Sequence, residues 1–144
     1  MQLVMNNYEI KSFGEFLYEL TLKGKDSRMR SRFLSILETQ LELIAKERDI
    51  LLQDFGKKNE NGEIASDTDE EGRQYVILED KDSYNIEISK LMSEEFVIEV
   101  TPTMVDMVKS IQNIVLDCDK EFSGVEAERY NRYCDIMEQF TYVE

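Results

Sequence analysis

The chain has 144 residues and a formal net charge of −14, with 31 acidic and 17 basic side chains and no histidine. Hydrophobic residues make up 42% of it, which is enough for a folded core and too many for a disordered chain. The negative charge disfavours direct binding to nucleic acid or to anionic membranes, because the field of the chain repels phosphate. We therefore expect a single domain over residues 1–144 whose partners are other proteins.

The two cysteines, Cys118 and Cys134, do not form a C-x-x-C pair, and no histidine is present to complete a zinc site or to activate a thiol. Both lie on apolar faces of predicted helices, so we interpret them as small buried hydrophobic residues. The sequence has neither the pattern of a secretion signal nor a run of 18 apolar residues. We expect no cofactor, no metal and a cytoplasmic location.

The first half of the chain predicts one strand and two helices. Weak alternation over residues 1–10 predicts a strand, and Ser12-Phe13-Gly14-Glu15 has the form of a capping box that starts a helix. A second, long central helix is predicted from Asp26 or Ser27 to Phe55, about 28 residues. Its inward stripe consists of Leu34, Leu37, Leu41, Ile44, Arg48, Leu51 and Phe55. We interpret Arg48 as a snorkelling or ion-paired residue, with a role in fixing helix register as the alternative.

The second half begins with residues 57–73, which are almost free of apolar side chains and predict an exposed, mobile acidic loop. Residues 74–78 predict a short strand. A helix is expected from Asp82 or Ser83 to Glu95, although alternation of Tyr84, Ile86 and Ile88 leaves a strand open there.

Residues 95–100 predict another strand, and Thr101-Pro102 then precedes a helix. Ser123-Gly124-Val125-Glu126 resembles a second capping box and predicts the start of the last helix. The inward residues of that helix are predicted to be Ala127, Tyr130, Cys134, Met137 and Phe140. The whole pattern predicts an α+β fold, a helix-dominated single domain with a long central helix and about three short strands.

Residues 67–72 imitate the opening of a calcium-binding loop, with carboxylates at Asp67, Asp69 and Glu71 and glycine at Gly72. The twelfth position is Leu78, where a calcium loop needs a bidentate glutamate. We therefore interpret this segment as a solvated acidic loop.

A cationic segment interrupts this acidic chain. Its members are Lys23, Lys25, Arg28, Arg30 and Arg32. Lys25, Arg28 and Arg32 share one side of the predicted helix, whereas Arg30 points about 200° away from Arg28. We favour internal pairing with the acid-rich residues 59–99, followed by a protein partner at these five residues and then by nucleic acid.

Several parts of the chain carry a family resemblance. They are the N-terminal strand, residues 16–28 with Leu22-Lys23-Gly24-Lys25-Asp26-Ser27-Arg28, Glu47-Arg48-Asp49, and Lys57-Lys58-Asn59-Glu60-Asn61-Gly62. Together they resemble an uncharacterised family of small proteins from phages and prophages of Gram-positive bacteria, best over residues 1–65. The resemblance implies a viral origin, a location in the host cytoplasm and a nonenzymatic role, and it transfers no catalytic residue.

The function expected from these observations is protein–protein interaction by an acidic phage protein that is not an enzyme. The leading interpretation is a counter-defence or host-takeover inhibitor, and one variant of it is mimicry of nucleic acid by the acidic surface. The alternative is an accessory protein of virion assembly or of the tail. A small enzyme that uses carboxylates comes third. The long helix also makes a homo-oligomer an open interpretation.

Overall fold

The computed structural model describes residues 1–141 of the chain. Within them the elements are β1 (Gln2–Asn6), α1 (Asn7–Glu19), α2 (Gly24–Phe55), β2 (Ser66–Thr68), β3 (Gln74–Val76), α3 (Lys81–Ser93), β4 (Glu95–Glu99), a 3-10 turn (Pro102–Met104), α4 (Val105–Leu116) and α5 (Gly124–Glu138). The strands form two antiparallel pairs, β1 with β4 and β2 with β3. The α+β class and the long helix are confirmed, with four strands where about three were predicted.

The described residues divide into two compact units. The first unit contains Met1–Leu41 and the chain from Glu95 onward, and the second contains Glu42–Glu94. Helix α2 supplies residues to both.

The first unit is built around the β1–β4 pair. Leu3 stands opposite Ile98 and Met5 opposite Phe96, and the side chains of Leu3, Met5 and Ile98 are buried. Gln139 covers the other edge of β1, because its Oε1 accepts a hydrogen bond from the Val4 N–H at 3.2 Å and its Nε2 donates to the Val4 carbonyl at 2.9 Å. A side-chain amide thus takes the place of a neighbouring strand and blocks that edge from pairing.

The start of α1 differs from the prediction. The strand ends at Asn6, and the helix begins at Asn7 rather than at Ser12. Asn6 is the N-cap, and its N–H donates to Glu9 Oε1 at 3.0 Å, which is one half of a capping box. The predicted box was wrong because Asn6 and Glu9 have the same spacing and a better position, directly after the strand. Ser12 instead donates its hydroxyl hydrogen to the Glu9 carbonyl at 3.2 Å, inside the helix.

Helix α2 has 32 residues and begins at Gly24, whose φ of +60° suits glycine. The predicted inward stripe was only partly right. Leu37 and Ile44 are buried, but Phe33 and Met29 are also buried, Leu34 and Leu41 are half-buried, and Arg48 is exposed. Phe33 and Leu34 point about 100° apart, so the sequence contains two overlapping apolar stripes and packing selects between them. The place of Arg48 in the inward stripe was wrong and it has no ion pair within residues 1–141, whereas its snorkelling and register roles stay predictions.

The second unit contains a small network of backbone hydrogen bonds in the segment predicted to be a loop. Lys57 N–H donates to the Ile77 carbonyl, Ala65 N–H to the Lys57 carbonyl, and Ile77 N–H to the Ala65 carbonyl, at 2.7–2.9 Å. Strands β2 and β3 extend from this network, with every residue of both exposed. Residues 57–73 are therefore largely exposed, as predicted, but they contain a strand, and their mobility stays a prediction.

The starts of helices α3 and α5 can be compared with the predicted starts. Helix α3 begins at Lys81, so the strand alternative for this segment was wrong, and its N-cap is Asp80, which accepts a hydrogen bond from the Ser83 N–H at 3.0 Å. Helix α5 begins after Ser123 as predicted, but the Ser123 side chain makes no capping hydrogen bond. Met137 and Phe140 are buried as predicted, whereas Ala127, Tyr130 and Cys134 are half-buried and Tyr133 and Ile136 fill the core.

Candidate functional site

The cationic segment lies at the beginning of α2, with Lys23 immediately before the helix. Its five members do not form one patch, because they meet different surroundings. One is used inside the fold, one forms an ion pair, and three remain exposed without a carboxylate partner among residues 1–141.

Arg30 is the member used inside the fold. Its Nη1 lies 3.1 Å from the Leu17 carbonyl and 3.4 Å from the Tyr18 carbonyl, and it also donates to the Leu20 carbonyl. These carbonyls belong to the last turn and the C-cap of α1, where a helix leaves carbonyls without an intrahelical partner, although the Leu17 carbonyl also accepts the Leu20 N–H at 3.3 Å. A cation at a helix C-terminus is favourable both for these hydrogen bonds and for the helix dipole. Arg30 thus caps the C-terminus of α1, and it does not belong to the predicted partner site.

Lys25 forms an ion pair with Asp106 at the start of α4, with Nζ 2.9 Å from Oδ1. Asp106 lies outside residues 59–99, so the predicted source of pairing was wrong for this residue. Both side chains are more than half exposed. An exposed pair of this kind contributes little stability, and it leaves Lys25 able to exchange partners.

Arg28 and Arg32 are exposed and have no carboxylate partner in the part of the chain that the structure describes. The contact found for Arg32 is a weak one, from Nη1 to the Met29 sulfur at 3.9 Å. Lys23 is likewise exposed and unpaired within residues 1–141. Lys25, Arg28 and Arg32 lie on one side of α2, within about 60° of one another. We name these three residues the cationic face.

A second charged site was missed by the sequence reasoning. Glu9 is the buried carboxylate of residues 1–141, and Arg132 of α5 binds it through Nε at 2.6 Å and through Nη2 at 3.1 Å. Burial alone would raise the pKa of Glu9, but the hydrogen bonds from Arg132 and from Asn6 and the charge of Arg132 outweigh burial and lower it. A carboxylate held ionised in this way cannot act as a general acid near neutral pH. The pairing between residues 123 positions apart left no signal in the sequence.

The cysteines flank a tyrosine rather than a reactive centre. Cys118 and Cys134 are free and half-buried. Tyr130 donates its hydroxyl hydrogen to the Val115 carbonyl at 2.7 Å and stacks on Phe122 with ring centroids 4.5 Å apart. Burial, and then the neighbouring Cys134, raises the pKa of Tyr130 to about 12, so this hydroxyl stays protonated. The arrangement around Tyr130 is one of packing.

An open groove lies between α1 and the first half of α2, with a volume of about 320 Å³. Leu34, Leu37 and Leu41 form its floor beside Gly14, and the rim carries Lys11, Glu15, Tyr18, Glu19 and Glu38. Tyr18 is 74% exposed. The prediction placed Leu34 and Leu41 in the central core, and the groove is the reason they remain half-buried. No sequence pattern distinguishes a groove floor from a core.

The acidic segment around Asp69 makes internal contacts of its own. One oxygen of Asp69 accepts hydrogen bonds from the backbone N–H groups of Glu71 and Arg73 at 2.9 Å, and the other accepts one from Arg73 Nε at 3.1 Å. These bonds fix the turn between β2 and β3. Within residues 1–141, no cluster of three or more carboxylates or thiols has the geometry of a metal site, and no helix is long and apolar enough to cross a membrane.

Comparisons with known proteins add no functional assignment. No protein-family model matches the chain, and neither curated proteins nor solved structures give a match. The resemblance to phage proteins therefore stays a prediction from sequence.

Proposed function

We propose that the protein is nonenzymatic and acts by binding another protein through the cationic face. The observation that carries this proposal is the exposure of Arg28 and Arg32 without a carboxylate partner in residues 1–141, in a chain that has 31 acidic side chains. Such an excess of acids makes internal pairing easy, yet these two guanidinium groups are not used in that way. Arginine is the residue best suited to bidentate binding of carboxylates at an interface.

The chemistry of the face indicates an acidic patch on a partner protein. Three cations within two turns of one helix match two or three carboxylates on an opposing surface. The net charge of −14 argues against nucleic acid, because repulsion of a phosphate backbone acts over a longer range than attraction by three side chains. Binding to carboxylates is expected to weaken as salt increases, since the contact lies on the surface.

For the biological role we propose a counter-defence or host-takeover inhibitor that works in the host cytoplasm. This role is supported by the resemblance of residues 1–65 to phage and prophage proteins, and by the exposed cations Arg28 and Arg32 on an acidic chain. An accessory role in virion assembly is the outcome to be distinguished by experiment.

The test replaces Lys25, Arg28 and Arg32 together by glutamine. A matched control replaces three other exposed lysines, Lys57, Lys81 and Lys120, by glutamine and so removes the same total charge. Each protein is melted at low and high ionic strength and then used for affinity capture from infected Gram-positive cells, with mass spectrometry of the partners. We expect the triple variant to melt like the control and to lose a partner that the control retains.

The captured partner distinguishes the roles. A host defence or transcription component supports the inhibitor, whereas capsid or tail proteins support virion assembly. Retention of every partner by the triple variant would exclude the cationic face as the binding site. A loss of partners that merely follows loss of folding, most severe at low salt, would mean that the three residues stabilise the monomer instead.

A further inference from the structure

The outward side of α2 in the second unit presents apolar side chains to solvent. Leu43 is 47% exposed and Ile50 is 59% exposed. They are seven residues apart, which places them on the same side of the helix, about 10.5 Å apart along its axis. Lys46 and Glu47 lie between them on that side, the first exposed and the second half-buried. We name these four residues the α2 stripe.

The α2 stripe is complementary to itself when two copies run in opposite directions. Its centre falls between Lys46 and Glu47, which is also the midpoint between Leu43 and Ile50. An antiparallel copy therefore places Leu43 opposite Ile50 and Lys46 opposite Glu47, on both sides of a two-fold axis. Opposite charges next to an apolar contact specify both the register and the direction of a helix pair.

We propose that the protein forms a homodimer in which the α2 stripes of two copies pack antiparallel. Each copy contributes one Leu43–Ile50 contact and one Lys46–Glu47 ion pair to its partner. A parallel arrangement is excluded by charge, because it opposes Lys46 to Lys46 and Glu47 to Glu47. The contact is separate from the cationic face, so it does not depend on the proposed function.

The surroundings of the stripe provide room for the partner. A groove of about 280 Å³ lies beside Ile50, between α2 and α3, with Leu51 and Leu91 in its wall. The incoming Leu43 side chain enters the open end of this groove next to Ile50. In this unit Ile44 and Leu91 are the only buried apolar side chains among the described residues, so a second copy supplies burial that the unit lacks.

Association is expected to be weak and dependent on concentration. The stripe covers two helical turns, which is a small interface, and two chains of net charge −14 repel each other. The measurement is therefore sedimentation equilibrium of the full chain over a concentration series from micromolar to millimolar, at physiological salt. We expect a monomer–dimer equilibrium for the unmodified protein.

Charge reversal tests the register. In the Lys46→Glu variant a glutamate at position 46 faces Glu47 of the other copy, and in the Glu47→Lys variant a lysine at position 47 faces Lys46. Each variant alone should therefore dimerise about tenfold more weakly or not at all. The double variant Lys46→Glu/Glu47→Lys restores both pairs and should dimerise like the unmodified protein. An equimolar mixture of the two single variants should also associate, because each lysine then meets a glutamate of the other variant.

A matched pair of substitutions tests the apolar contact. Ile50→Ser should weaken the dimer, whereas Val125→Ser, at a valine of the first unit that is also 59% exposed, should leave it unchanged. Melting curves confirm that each variant is folded. A protein that stays monomeric throughout the series, a double swap that fails to restore association, or equal weakening by Val125→Ser would each overturn the proposal.

Discussion

The two compact units place their apolar side chains in different surroundings. The first unit contains most of the buried apolar side chains, including Phe13, Phe33 and Met137, which are completely inaccessible. The second unit exposes Leu43, Ile50, Tyr75, Val76 and Ile86 by more than a third and buries only Ile44 and Leu91 among its described apolar residues. The first unit also exposes large apolar side chains, six by the same measure, but it buries many more than it exposes. Since burial of apolar area is the main source of stability, the first unit holds the fold, and the second, which exposes more apolar side chains than it buries, has apolar surface left for association.

Helix α2 shows that this difference is not one of local sequence. Its inward residues follow the same three-and-four spacing in both units, yet Leu37 is buried in the first unit, whereas Leu51, fourteen residues further on the same side, is only half-buried in the second. A periodic apolar stripe predicts a helix, but the number of neighbours that cover the stripe is a property of the tertiary fold. The comparison leads to five expected effects, the largest first.

The largest effect is expected from the core of the first unit. Phe33→Ala should lower the free energy of unfolding by about 3–5 kcal/mol, because a fully buried ring leaves a cavity that its neighbours cannot fill. Phe33 also makes an edge-to-face contact with Phe13, with ring centroids 6.0 Å apart. Denaturant unfolding measures the loss. Leu41→Ala, on the groove floor, should cost less than half as much, and equal losses would contradict the assignment of Leu41 to a groove.

In the second unit the largest loss is expected at a glycine. A Cβ atom at Gly56 would lie 2.5 Å from the Leu52 carbonyl oxygen and 3.0 Å from a methyl group of Ile64. Gly56→Ala should therefore destabilise the protein by about 1–3 kcal/mol, the usual cost of forced overpacking. Hydrogen exchange should locate the loss in residues 42–94 and leave the amides of the first unit unchanged. A uniform loss over both units would show that they unfold together.

The next effect concerns the pair of Glu9 and Arg132. Glu9→Gln should cost about 1–3 kcal/mol at pH 7, the range for hydrogen bonds to a charged group, and the lower end is expected because Arg132 is 44% exposed. The pKa of Glu9 is lower in the folded chain than in the unfolded chain. The contribution is therefore complete above the unfolded-state pKa and is lost as pH falls through the folded-state pKa.

The stability difference between the wild type and Glu9→Gln should accordingly be constant above the unfolded-state pKa of Glu9 and should vanish as pH falls through its lowered folded-state pKa. Glu9 and Arg132 both belong to the first unit, so acid should destabilise the first unit specifically. A difference between the two proteins that stays constant as pH falls through both pKa values would show that the substitution acts through packing and not through the charge of Glu9.

The sequence predicted the helices well and the site poorly, for a physical reason. Helix and strand periodicity depend on neighbours along the chain, so the α+β class, the end of α2 at Phe55 and the positions of α3 and β4 followed from local patterns. The predicted start of α2 at Asp26 or Ser27 was wrong, because the helix begins at Gly24 and has 32 residues instead of about 28. The start of α1 was wrong because Asn6-x-x-Glu9 and Ser12-x-x-Glu15 both satisfy the capping spacing. The roles of Arg30 and Glu9 depend on residues brought together only by folding, so no local pattern announces them.

The cationic segment offers a matched test of that point. Arg30→Gln should lower stability by about 1–2 kcal/mol, because the carbonyls of Tyr18 and Leu20 lose the guanidinium donor and the Leu17 carbonyl keeps only the Leu20 N–H. Arg28→Gln, two residues away and exposed, should change stability by less than about 0.5 kcal/mol. Thermal melts of both variants provide the comparison. Equal effects would mean that Arg28 also has a structural partner, and the cationic face would then lose its main support.

The smallest expected effect is a gain of stability, at Gly14 of the first unit, in contrast to the loss expected at Gly56 of the second. Gly14 lies inside α1, and a Cβ atom there would meet Leu37 and Leu34 at 3.7 and 3.8 Å, which is ordinary contact. Glycine in a helix interior costs about 0.5–1 kcal/mol relative to alanine, so Gly14→Ala should stabilise the protein by that amount. The rise in melting temperature measures it. A loss of stability would show that the floor of the groove cannot accept a methyl group. The expected gain would show that the well-packed first unit has space for a side chain at Gly14, whereas the sparsely packed second unit has none at Gly56.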